Sequence, residues 1–358
     1  MHARLLAEAS IFHDLPLRAV TPDLKRALTF RDEDHYGPEV ENVLRLWHAA
    51  ESANAVKDES VSRCLDDVAW LITPSSCAYA FALQGGAVMR YVLDGSKPPA
   101  MPFPNLKRVC AIAAAKRHFF VCLPDALLRV SCSPEDGCRI GRHGDGSDVL
   151  LSVSDDGAVV AISEHRDRAE IFRFGVSVHY VVRNVLRTDG EFTRALCVSR
   201  TGRLVAFIMD KVTLTIVDTK AVRVICKRQF IEHERALIWC ASGVHTLVFS
   251  PDERTVFYSA WEEFTFAFDA RTGAELDTPL DNVGCTYMRF VSKTEVVVGA
   301  AAGGRMMRYE MIRKEHAAVL AVFAALQMRC GGPSLALVRF LGRDGDNAAM
   351  ARVVQCLV

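Results

Sequence analysis

The sequence has no excess of either charge: 43 Lys and Arg stand against 43 Asp and Glu over 358 residues. That balance removes the long-range field by which a basic protein gathers on nucleic acid or on an anionic membrane. There is no run of ~18 apolar residues, so no membrane-spanning helix is expected. The opening Met1-His2-Ala3-Arg4-Leu5 lacks the apolar stretch of a secretory leader. None of the 12 cysteines stands at CxxC spacing from another, which excludes the common zinc and dithiol motifs. The glycine-rich stretch from Gly299 to Arg305 has no Lys-Ser/Thr, so it is no phosphate-binding loop. GxSxG and HExxH are missing too. These absences predict no enzyme, no cofactor and no metal, with reduced thiols in an intracellular compartment, cytoplasm or nucleus.

What the chain does contain is a repeat. From His245 to Gly273 it reads HTLVFSPDERTVFYSAWEEFTFAFDARTG, in which Ser250 precedes Asp269 by 19 positions. The same interval separates Ser199 from Asp218, Ser75 from Asp94 and Ser154 from Arg173, and Ser292 precedes Glu310 by 18. A weaker copy runs from Ala114 to Ser133. The anchors at 75, 114, 154, 199, 250 and 292 are spaced 39, 40, 45, 51 and 42 residues apart, close to the length of one propeller blade.

Strand chemistry follows the same frame. After each turn comes a segment that is apolar on both faces, such as Val159 to Ile162, Leu204 to Ile208 and Val296 to Ala300. This is the pattern of a strand covered on both sides. The next segment alternates, as in Val212, Leu214 and Ile216 or Phe264, Phe266 and Phe268, and is expected nearer a blade edge. Asp155-Asp156-Gly157 and Arg200-Thr201-Gly202 carry tight-turn residues. Six blades are countable, and a seventh is predicted from Ala317 to Leu357.

Residues 1–58 fall outside the repeat. Thr21-Pro22-Asp23 reads as a helix start, and Pro38-Glu39 as a second one whose Val40, Val43, Leu44, Trp47 and Ala50 share a face. The predicted fold is all-β: a single seven-bladed β-propeller over residues 59–358, with a short helical N-terminal extension over 1–58. A segment among Ile11 to Val20 is expected to complete the last blade.

The FSPDERTVFYSAW…FDARTG segment resembles the repeat of WD-repeat propellers and of the YVTN-type propeller. Phe268-Asp269 and Val217-Asp218 stand where the former has Trp-Asp, and the Gly-His dipeptide is absent. The resemblance implies a rigid platform that binds protein partners on its faces and rim.

Candidate binding residues lie at the repeat turns: Lys116, Arg117, Asp155, Asp156, Arg200, Asp252, Glu253 and Arg254, with Trp261 in a nearby loop as an aromatic anchor. The set is mixed in sign, which favours a protein partner over nucleic acid. Cys122, Cys132, Cys138 and His143 have no zinc-type spacing, and the acidic turns read as hairpin chemistry, not calcium loops. The expected function is therefore a non-enzymatic interaction scaffold. Two alternatives are an adaptor recruiting a larger machine through an F-box-like N-terminal segment (Phe12-His13-Asp14-Leu15-Pro16 with Leu46-Trp47), and an enzyme or ligand binder using the central channel.

Overall fold

The computed structural model describes residues 2–10, 17–20, 26–31, 43–49, 56–63, 71–72, 79–84, 87–92, 108–115, 118–131, 138–141, 149–164, 168–175, 181–187, 193–209, 213–229, 245–260, 264–278, 280, 285–300 and 305–312. The chain divides into two compact units, Leu5–Glu310 and a smaller one of Met1–Arg4 with Met311–Val358. The larger unit carries the architecture that follows.

The first strand is β1 (His2–Ser10). The next four, β2 (Leu17–Val20), β3 (Arg26–Arg31), β4 (Val43–Ala49) and β5 (Val56–Arg63), make one sheet in that order. A three-stranded sheet follows: β6 (Leu71–Ile72), β7 (Tyr79–Gln84) and β8 (Ala87–Val92). The third holds β9 (Ala111–Ala114), β10 (His118–Cys122), β11 (Ala126–Ser131) and β12 (Cys138–Gly141). The fourth holds β13 (Leu150–Val153), β14 (Val159–Glu164), β15 (Arg168–Phe174) and β16 (Val181–Arg187). The fifth holds β17 (Thr193–Val198), β18 (Leu204–Met209), β19 (Thr213–Asp218) and β20 (Arg223–Gln229). The sixth holds β21 (His245–Phe249), β22 (Thr255–Ala260), β23 (Phe264–Asp269) and β24 (Glu275–Leu276). The seventh holds β25 (Cys285–Phe290), β26 (Glu295–Ala300) and β27 (Arg305–Ile312), with β1 alongside β27. Consecutive strands within each sheet pair antiparallel. The first strands of the sheets adjoin one another in the order β6, β9, β13, β17, β21, β25 and then β2. This is a seven-bladed β-propeller.

The central strand of a blade is buried because neighbouring blades cover both of its faces. In β18 all six residues are buried. Val205, Phe207 and Met209 pack with Val159, Ala161 and Ile171 of the preceding blade. Leu204, Ala206 and Ile208 pack with Phe249, Val256 and Tyr258 of the following one. The period-2 geometry of a strand thus sends alternate side chains into two different interfaces. Hydroxyls satisfy polar groups between blades: Ser163 donates to Thr193 Oγ1 at 2.7 Å, Ser152 Oγ accepts the Val198 amide at 3.0 Å, and Ser259 Oγ accepts the Cys285 amide at 2.8 Å. Burial pushes the Cys197 thiol up to about 12 and the Cys285 thiol up to about 11, which keeps both protonated as small apolar groups.

Three expectations need correction. First, where the segments predicted as helices are described, at Arg26–Arg31 and Val43–Ala49, they are strands; Thr21 to Asp23 and Pro38-Glu39 lie outside the described residues. Thr21-Pro22-Asp23 and Pro38-Glu39 are local cap signals, and helices this short are marginal without tertiary support. The Val43–Ala49 stretch alternates as well as it spirals, and its backbone finds partners: Leu44 lies opposite Phe30, Leu46 opposite Leu28 and Trp47 opposite Ala27. Sheet pairing overrides the helical signal. The F-box-like reading loses its helix at Leu46-Trp47, and Phe12 to Leu15 lie outside the described residues. Second, the sheet that joins the six counted repeats is the first one, β2–β5, at the N-terminal end; the segment from Ala317 to Leu357 lies outside the described residues. Third, the strand completing the last sheet is His2–Ser10, while Leu17–Val20 starts a sheet of its own. The alternating β19 stands third in its sheet, next to the edge strand; its Thr213 and Thr215 are nevertheless buried with the apolar set, because β20 lies outside it and both flanking blades reach over it.

Deletion of a side chain wedged between two blades exposes the dependence on two-sided burial. Phe207→Ala is expected to cost about 3–5 kcal/mol, read as a lower midpoint in urea unfolding followed by circular dichroism.

Candidate functional site

In the antiparallel order of each blade, the turn joining the first two strands and the turn joining the last two lie at the same end of the sheet. Leu204 pairs with Asp218 and Thr255 with Asp269 across the two central strands, immediately beyond the turns. The repeat frame of Ser followed by Asp 19 positions later therefore marks one face of the propeller.

Each first turn is built around its serine. Ser154, Ser199 and Ser250 accept the amides of Val159, Leu204 and Thr255 on Oγ, all at 3.0 Å. The serine carbonyl also accepts the amide three residues on, from Gly157, Gly202 or Glu253 at 2.9 Å. In two copies an aspartate tightens the turn further. Ser154 donates to Asp156 at 2.6 Å and Ser250 to Asp252 at 2.7 Å, and each carboxylate also accepts an amide two residues on. The fourth turn residue takes positive φ: 72° at Gly157, 72° at Gly202 and 59° at Glu253. Gly202 has a second reason to be glycine, since a Cβ there would lie 2.6 Å from Val159 Cγ2 of the preceding blade.

The turns are tied to each other. Arg200 Nε lies 3.2 Å from Asp155 Oδ2, and the Asp155 amide donates to the Arg200 carbonyl at 3.1 Å. Glu253 reaches back to the turn of the preceding blade, accepting the Thr201 amide at 2.6 Å and the Thr201 hydroxyl at 2.9 Å. Exposed pairs of this kind contribute about 0–1 kcal/mol each; their effect here is to fix relative position. Six of the sequence-predicted residues, Asp155, Asp156, Arg200, Asp252, Glu253 and Arg254, are thus gathered on three successive turns. Lys116, Arg117 and Trp261 lie outside the described residues.

Sequence reasoning placed Thr201 in its turn without pairing it to Glu253, and used Asp218 and Asp269 only as repeat markers. Those aspartates cap the second turns. Asp218 Oδ1 accepts the Lys220 and Ala221 amides, each at 2.9 Å. The Ala221 amide foremost, then the Lys220 amide with Arg203 and Arg223, hold its carboxyl below the usual range against the opposing effect of burial. At Asp269, burial pushes the carboxyl up, and the Thr272 amide and hydroxyl with Arg271 more than offset it. The signal for both was the Asp closing a strand, followed by Thr-Lys-Ala or Ala-Arg-Thr-Gly. Among the described residues no three His, Cys, Asp or Glu side chains are grouped to hold a metal. Cys122 is buried, with its thiol against the Leu123 carbonyl at 3.7 Å; the side chains of Cys132, Cys138 and His143 lie outside the described residues. No helix among the described residues is long and apolar enough to cross a membrane.

No family model matches the chain, and no curated protein matches it. Among solved structures, the chain is similar to the β-propeller domain of Cps50 (Swd1) from Myceliophteria thermophila, with a TM-score of 0.53 and 10% sequence identity, covering 87% of this chain and 100% of that one. At that identity the likeness concerns the fold alone.

Two outcomes are expected at these turns. Glu253→Gly relieves a positive φ but unties the turn of the preceding blade; global stability should change by less than about 1 kcal/mol, while hydrogen exchange at the Thr201 amide accelerates. Asp218 and Asp269 have folded-state pKa values below the unfolded value of about 3.9, so their contribution is present above that pH and is lost as pH falls through the folded values. Asp218→Asn/Asp269→Asn should therefore flatten the loss of stability below about pH 4, measured as urea midpoints across an acid pH series.

Proposed function

We propose that this protein is a non-enzymatic interaction scaffold, a propeller of the WD-repeat-like or YVTN-like kind working inside the cell, and that the hairpin-turn face of its fourth, fifth and sixth blades is a binding site for a protein partner. The observation that supports this reading is the linkage of three successive turns through Asp155–Arg200 and Thr201–Glu253. Turns held to one another lose little freedom when a partner docks, and pre-organisation of this kind lowers the cost of association. Loops on a rigid core are also where binding residues accumulate in folded domains.

The charge of the face favours protein over nucleic acid. Asp155, Asp156 and Asp252 are exposed among Arg200 and Arg254, and alternating signs oppose a continuous phosphate backbone while complementing a mixed protein surface. Chemistry on this face would need a nucleophile or a titratable pair, and its carboxylates are engaged in holding turn amides and neighbouring turns.

The test is affinity capture with cross-linking from the source cell, comparing the native chain with Asp252→Lys/Arg254→Glu. The expected outcome is loss of one or more stoichiometric partners whose cross-links map to residues 154–157, 199–203 or 250–254. An unchanged partner set, with cross-links placed elsewhere, would overturn the assignment.

A further inference from the structure

The hairpin from β19 to β20 breaks the repeat in an unusual way. In the sixth blade the turn after Asp269 places Gly273 four residues on, with φ 68°. A Cβ at Gly273 would lie 2.1 Å from Cys226 Sγ of the preceding blade, so glycine is demanded twice over. In the fifth blade the residue four beyond Asp218 is Val222, at φ 51°. A β-branched side chain in the left-handed region is a strained choice. Val222 is also 40% exposed, so its packing compensates the strain only in part. Strain left uncompensated points to a use at the surface.

The surroundings indicate what that use is. Val224, two residues on, is 50% exposed, and these two valines with Leu6 are the exposed large apolar residues among those described. Lys220, Arg223, Lys227 and Arg228 are exposed along the same hairpin, and β20 contains no acidic residue. Asp218, the nearby acid, accepts the Lys220 and Ala221 amides on one oxygen and interacts electrostatically with Arg203 and Arg223, but it is the one acid among four cations from Asp218 to Gln229. Arg228 reaches the Gly273 carbonyl at 3.4 Å, across the blade interface, leaving Lys220 and Arg223 beside the valines. Among the described residues β20 is the outermost strand of its sheet, and its outer edge there presents main-chain groups beside a basic and apolar strip.

We propose that β20 and the turn before it form a docking strip for an extended acidic segment of a protein partner, which adds as a further strand with its carboxylates toward Lys220 and Arg223 and small apolar side chains against Val222 and Val224. Strand addition supplies main-chain hydrogen bonds, and complementary charge sets register and choice. A nucleic acid has no peptide edge to pair with β20. Cations and a bulge on an edge strand also serve to block aggregation, and β20 has a register shift opposite Ile216 and Val217. A purely protective edge has no reason to hold two valines outward, one of them strained.

The docking strip begins on the same face as the turns proposed above and runs out along the edge of the fifth sheet; its test is separable because it rests on Lys220, Val222 and Arg223, which belong to none of the linked turns. The full chain is panned against a random peptide library displayed on phage, and an enriched peptide is measured by fluorescence anisotropy alongside a single-stranded DNA oligonucleotide. Peptides alternating Asp or Glu with apolar residues are expected, with affinity falling steeply as salt rises. Lys220→Glu/Arg223→Glu should weaken binding by about tenfold or more, equivalent to about 1.4 kcal/mol. Val222→Gly should raise the melting temperature while weakening the peptide, a pairing that a merely structural role would not give. Asp252→Lys/Arg254→Glu should leave peptide binding intact. Enrichment without acidic bias, equal binding by the charge-reversed chain, preferential binding of the oligonucleotide, or a Val222→Gly chain that binds as well as the native one would each overturn the proposal.

Discussion

Everything in this molecule depends on strands that are covered on both faces. A sheet of four strands has two surfaces, and here each surface finds the next blade. β18 is the clearest instance, with Phe207 inside one interface and Ile208 inside the other. No blade of this kind buries its apolar set alone, so each is stable only with its neighbours in place. The arrangement also explains the composition: half the residues are hydrophobic, more than a one-sided sheet would conceal, yet few large apolar side chains emerge among the described residues.

Two-sided burial leaves the polar chemistry to the ends of the strands, and there one device recurs. A serine accepts an amide across the turn, and an aspartate orders the amides of the next hairpin on the same face. Such bonds satisfy main-chain groups that would otherwise be stranded near the core. The consequence for function is positional. Once every turn is fixed to its own blade, a single additional contact per blade, such as Thr201 to Glu253, is enough to fix turns to one another.

The repeat was legible because it is written in side chains whose role is local and compulsory. Ser199 and Asp218 must stand 19 apart because the strands between them have a set length and register. The doubly apolar segments were legible for the same reason. The first sheet was not. The sequence ahead of β3 and of β4 carries cap-like Thr-Pro-Asp and Pro-Glu signals, and the side-chain spacing in Val43–Ala49 satisfies a helical face and a strand face alike. What decides between them is pairing with β3 and β5, which no local window contains. The closing strand was misplaced for a related reason: His2–Ser10 joins β27 across nearly the whole chain. At the turn face, Asp155, Arg200 and Glu253 were identifiable as turn residues, but their mutual contacts arise only from the distance between blades.

The two departures from glycine in the turns separate structural from functional strain. Glu253 holds φ 59° where the preceding two blades have glycine, and its carboxylate repays the strain by binding Thr201 in the neighbouring turn. Val222 holds φ 51° where the next blade has glycine, and its side chain is exposed. The first is accounted for inside the molecule; the second is not. A β-branched residue is the least suited to that conformation, and the exposed valine two positions later continues the same apolar strip beside Lys220 and Arg223. The side chain is therefore better explained by what it meets from outside than by anything it does for the fold.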